Sequence, residues 1–119
     1  MNWIIAVVAA LHAIFCLSEI FPWPFPILLQ KISEKHLREQ TWGVAQQKLV
    51  VSIVQNAGIY NGILAGGLFW AAYAGDEALD TARVLLIGAI VAGIFGALTL
   101  KSWPSAVQAI FGLIAIVLV

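Results

Sequence analysis

The sequence predicts an all-α membrane protein, a bundle of four transmembrane helices with a short interfacial segment between the first and second. Three observations predict it. Hydrophobic residues fill 62% of the 119 positions and charged residues only 10%, against about 25% charged in a soluble domain. The mean hydropathy is +0.98. The apolar residues are also gathered into four runs, and about 20 mostly apolar residues in helical form cross a bilayer. A chain this poor in charge cannot cover its own surface in water, so part of its solvent is lipid. Residues 1–119 read as a single transmembrane domain. The competing reading is a very apolar subunit buried in a larger assembly.

The first run covers residues 3–21. Only Met1 and Asn2 precede it, with no basic residue, and no small-residue cleavage site follows. It reads as a retained helix, not a signal peptide. The stretch Pro22-Trp-Pro-Phe-Pro26 ends that helix, because each proline lacks an N–H. Residues 27–40 then set Leu28, Leu29, Ile32 and Leu37 among Lys31, Glu34, Lys35, Arg38 and Glu39. That mixture suits a short helix lying in the membrane interface, apolar side down. The second helix is expected over residues 46–74, with a polar lead-in. A short acidic connection over 75–81 carries Asp76, Glu77 and Asp80. The third helix follows over 82–100, then a tight turn at Lys101-Ser-Trp-Pro104. The fourth helix occupies 104–119, with Pro104 suited to a first helical turn.

Orientation follows from lysine and arginine. The first and third connections hold Lys31, Lys35, Arg38, Lys48 and Lys101, and the opposite side holds Arg83. Basic residues favour the cytoplasmic side. The sequence therefore places these connections in the cytoplasm and both termini outside, in a multi-pass protein of the cell membrane.

Polar residues inside the apolar runs are costly in lipid and mark candidate sites. His12 and Glu19 share one face of the first helix, separated by two turns or roughly 10 Å along the axis. Cys16 and Phe15 lie between them. On the second helix Gly58, Gly62 and Gly66 recur every fourth residue, a spacing that lets another helix approach closely. Asn56 and Tyr60 fall on the other side, with Asn61 between the two faces. The third helix offers Ala89, Ala92, Gly93 and Gly96 as further small-residue pairs. Gln108 lies one turn inside the fourth helix, at about the depth of Glu19. These positions suggest a cavity entered from the cytoplasmic half, with Glu19 and Gln108 near its mouth and His12, Asn56 and Tyr60 deeper. The glycine-rich faces also offer contacts to a second copy of the chain.

The run Asn56-Ala-Gly-Ile-Tyr-Asn-Gly62 resembles the signature of the family called domain of unknown function 1304, whose stretch reads Asn-Gln-Gly-Leu-Tyr-Asn-Gly. Ala57 stands where that family has glutamine. The first helix resembles it too, through His12, Glu19 and Trp23. Pro104 also matches, while Lys101 stands where a glutamine is usual. The resemblance covers nearly the whole chain. It implies a small bacterial four-helix membrane protein and carries no activity with it.

Three functions fit these residues. The first is a polar intramembrane pocket that binds or transforms a small, largely apolar molecule. There a histidine and a carboxylate can exchange protons near neutral pH, while asparagine and tyrosine orient a carbonyl or hydroxyl. The second is a small proton-coupled exporter using Glu19. The third is a structural subunit whose polar groups only join helices. Whether the chain is an enzyme is open on the residues alone. Zero net charge gives no footprint for nucleic acid. No cofactor is indicated, because the glycines follow a helical period and form no nucleotide-binding loop. No metal is indicated either. His12 and His36 lie apart, and Cys16 is the single cysteine, so no ligand spacing appears.

Overall fold

The structure is a computed structural model and describes residues 1–21 and 44–119. The interfacial segment expected over 27–40 lies outside the described residues. Those described form four helices and no strand: α1 (Trp3–Ile20), α2 (Val44–Ala74), α3 (Leu79–Thr99) and α4 (Trp103–Leu118).

Local chemistry explains the ends. Asn2 caps α1, its side chain accepting from the Ile5 N–H at 3.5 Å. Gly75 stops α2 with φ of +71°, a left-handed conformation that glycine enters without a Cβ clash. A 3-10 turn, Gly75–Ala78, leads straight into α3. The acidic connection expected over 75–81 is therefore shorter than the sequence suggested, and α3 begins three residues before Ala82. Asp80 lies in its first turn, where a carboxylate meets the positive end of the helix dipole. Thr99 returns its hydroxyl to the Phe95 carbonyl at 2.7 Å. Lys101 then reverses the chain at φ 47°. Ser102 caps α4 by accepting from the Ser105 N–H at 3.4 Å, and Pro104 sits in the first turn.

The helices pair as two antiparallel hairpins, α1 with α2 and α3 with α4. At one end of the first pair the Asn2 N–H donates to the Ala72 carbonyl at 2.8 Å. At the other end the Gln55 amide donates to the Ile20 carbonyl at 3.3 Å. In the second pair, Gly93 lets two backbones meet. A Cβ there would lie 2.7 Å from the Ala109 nitrogen and 2.8 Å from the Ser105 oxygen. Gly96 likewise faces the Ser105 hydroxyl, 2.6 Å from where a Cβ would sit. The hairpins join in one apolar core near the termini, where Ile5 and Val8 meet Leu68, Ala72, Leu86 and Ala115. Arg83 closes that end, donating to the Val119 carbonyl at 3.1 Å and pairing with Asp80 at 3.0 Å. Both chain ends thus lie together.

Among the described residues, two stretches are long and apolar enough to cross a membrane, Trp3–Ile20 and Lys48–Thr99, the latter covering α2, the turn and α3. The last apolar helix, Trp103–Leu118, is shorter. Large apolar side chains also point outward, among them Phe95, Leu98 and Val117.

Candidate functional site at the α1–α2 seam

The buried positions of α2 run Gly58, Ala65, Leu68 and Ala72, with Asn61 and Gly62 half-buried between them. On α1 they run Ile5, Val8 and His12, continuing into the half-buried Cys16 and Glu19. Both series step by three and four residues, the spacing that keeps a seam facing its partner. His12, Cys16 and Glu19 therefore lie along the surface that α1 presents to α2.

Two glycines thin α2 at this seam. A Cβ on Gly58 would lie 2.9 Å from Ile20 Cγ1, 3.0 Å from Glu19 Cβ and 3.3 Å from the Cys16 carbonyl oxygen. A Cβ on Gly62 would lie 2.9 Å from Cys16 Sγ. Gly66 is different: a Cβ there meets nothing within 4 Å, and the residue is exposed. The close approach expected of all three glycines is made by two.

Asn61 reaches across the seam, donating from Nδ2 to Glu19 Oε2 at 2.8 Å. His12 sits further along α1 and is wholly buried. Its Nδ1 lies 2.9 Å from the Val8 carbonyl oxygen. A carbonyl only accepts, so Nδ1 carries the proton, and in the neutral ring Nε2 carries a lone pair. The ring also meets Phe15 edge-on, with centroids 6.0 Å apart. Among the described residues, His12 Nε2 is a buried polar atom with no hydrogen-bond partner. Leaving a buried acceptor unmet costs about 1–3 kcal/mol.

The other candidates go elsewhere. Asn56 and Tyr60 are exposed, on the side of α2 away from α1. They do not line a depth shared with His12. Gln108 is buried between α3 and α4, its amide donating to the Ala89 carbonyl at 2.8 Å. Gln55, which sequence reasoning passed over, takes the Ile20 carbonyl, one of the unpaired carbonyls that close a helix. Its position three residues before Gly58, on the same seam, was the available signal.

Among the described residues the site is thus a polar stripe between two helices, with one joined amide–carboxyl pair and one imidazole nitrogen that has no partner. Against known proteins, the chain matches the family described as protein of unknown function (DUF1304) over residues 6–119. The chain belongs to the DUF1304 family. The family description names no activity. A relative, the uncharacterized protein YpaA of Lactococcus lactis subsp. lactis (strain IL1403), is 35% identical over 54 residues, which cover 45% of each chain. The alignment therefore spans less than half the length of that relative. No solved structure matches the chain.

Among the described residues no group of histidine, cysteine and carboxylate side chains is arranged to hold a metal ion. The side chains along the seam offer hydrogen-bond donors and acceptors. His12 Nε2 can take a donor, Glu19 keeps its second carboxyl oxygen for another partner, and Asn61 keeps its one amide oxygen.

Proposed function

We propose that this chain is a multi-pass protein of the bacterial inner membrane that holds a small, largely apolar molecule bearing a hydroxyl or N–H group at the α1–α2 seam. Its bilayer setting is supported by the two long apolar stretches and by exposed side chains such as Phe95, Leu98 and Val117. Outward apolar surface on this scale is expensive in water and natural in lipid. The basic residues of the first and third connections favour a cytoplasmic placement for both, with the termini outside.

The observation that carries the ligand reading is His12 Nε2, buried and without a partner among the described residues. An imidazole used only to join helices would have both nitrogens engaged. This one engages Nδ1 on its own helix and leaves Nε2 as an acceptor inside an apolar site. A ligand with one donor group and an apolar body complements that environment. Glu19 and Asn61, on the same seam, supply a polar end where a second group of the ligand, or a proton, can be held.

The test is co-purification. Wild-type protein and His12→Leu are isolated from their own membranes in mild detergent, and the bound small molecules are extracted and compared by mass spectrometry. The expected result is a hydroxyl- or N–H-bearing molecule enriched with wild type and depleted at least tenfold with His12→Leu. Equal recovery from both proteins, or recovery of bulk phospholipid alone, overturns the reading.

A further inference from the structure

The run Asn56-Ala-Gly-Ile-Tyr-Asn-Gly62 is divided by the helix. Gly58, Asn61 and Gly62 serve the seam with α1, whereas Asn56 and Tyr60 face outward. Tyr60 is 66% exposed. Neither side chain makes a hydrogen bond within the described residues. On the bilayer reading this outward face lies deep: Asn56 is two turns beyond Lys48, or roughly 12 Å along the axis, inside a hydrocarbon layer about 30 Å thick. A primary amide facing lipid tails is costly, and across membrane helices such groups pair with one another.

We propose that this outward face of α2 is the contact between two copies of the chain, centred on Asn56 and Tyr60. The inference rests on the membrane reading and is independent of the ligand at His12. Its chemistry selects a second copy. An amide carries both donors and an acceptor, so two Asn56 side chains related by a two-fold axis satisfy each other reciprocally. Such isologous contacts are the commonest form of homo-oligomer. The glycines that offer close approach are occupied within the chain: Gly58 and Gly62 by α1, Gly93 and Gly96 by α4.

The experiment uses the full chain, fluorescently labelled and reconstituted into phosphatidylethanolamine–phosphatidylglycerol liposomes. Flotation and circular dichroism check insertion and helicity of each variant, and stoichiometry is read by single-molecule photobleaching over a series of protein-to-lipid ratios. Wild type should bleach in two steps and dissociate on dilution. Asn56→Leu should dissociate at roughly tenfold higher protein density, in keeping with the loss of two interhelical hydrogen bonds. Phe95→Leu, on the outward side of α3, should match wild type. A wild type that floats and bleaches in single steps throughout overturns the interface alone, and identical dissociation of wild type and Asn56→Leu does the same. A wild type that does not float overturns the membrane reading and the interface with it.

Discussion

Asn61 and Glu19 stand 42 positions apart in sequence and are joined by a 2.8 Å hydrogen bond from the amide Nδ2 to the carboxyl Oε2. This bond ties α1 to α2 at the end away from the core, beside the Gln55–Ile20 bond. It makes the pair separable by mutation. Glu19→Gln keeps an acceptor for Asn61 and a similar shape, so it should unfold within about 0.5 kcal/mol of wild type, as substitutions that preserve local contacts usually do. Asn61→Leu leaves Glu19 without its donor and should cost about 1–3 kcal/mol. Thermal unfolding of detergent-solubilised protein by circular dichroism distinguishes them. Equal losses in the two variants would mean that the bond does not hold the seam.

The glycines should rank by what a new Cβ meets. Gly93→Ala drives into the Ala109 and Ser105 backbone, which cannot rotate away, and should cost about 1–3 kcal/mol. Gly62→Leu pushes against Cys16 Sγ and should separate α1 from α2, while Ile63→Leu, exposed on the far side, should be mild. Gly66→Ala meets open space and should be neutral or stabilise by up to about 1 kcal/mol through helix propensity. Melting temperatures of the purified variants test the order. A destabilised Gly66→Ala beside an unaffected Gly93→Ala would refute it.

Gln108 should behave as a join between α3 and α4. Its amide bonds to a carbonyl of α3, and a helix carbonyl at Ala89 already receives the backbone N–H four residues on. Gln108→Leu should therefore cost only about 0.6 kcal/mol, the usual worth of an interhelical hydrogen bond in a membrane. It should also leave small-molecule recovery unchanged in the co-purification experiment. A Gln108→Leu protein that folds well but recovers nothing would bring this residue into the site.

Topology is tested by reporters. Activity fusions after Val119 and after Lys101 should report opposite sides of the membrane, with the Lys101 fusion cytoplasmic. Fusions reporting the same side, or a cytoplasmic Val119, would contradict the orientation drawn from the basic residues.

The four helices were legible in the sequence because long apolar runs alternate with short polar stretches. The starts and stops moved by a few residues where local chemistry outweighed hydropathy. Asp80 is polar enough to look like a connection, yet an acid in a first turn favours the helix, so α3 starts early. The site was less legible. A strict four-residue spacing drifts around a helix by about 40° per step, so Gly58 and Gly62 face α1 while Gly66 has turned away and Ala65 takes its place. The same drift brings Asn61, a candidate set between the two faces, onto the seam, and leaves Asn56 and Tyr60 facing outward. Hydropathy also says nothing of which nitrogen of His12 is engaged. That depends on the helix carbonyl four residues earlier, a fact of geometry.

His12 offers the most direct measurement. Protein labelled with 15N-histidine, isolated from its own membrane and assigned with the help of a His36→Asn variant, reports both ring nitrogens by NMR. The expected spectrum shows Nδ1 protonated, as its bond to Val8 requires, and Nε2 unprotonated but hydrogen-bonded to a bound donor. On stripping co-purified small molecules with excess detergent, the Nε2 resonance should move to the position of a free lone pair while Nδ1 stays in place. A proton on Nε2, or an Nε2 resonance indifferent to stripping, would contradict a ligand held at this nitrogen.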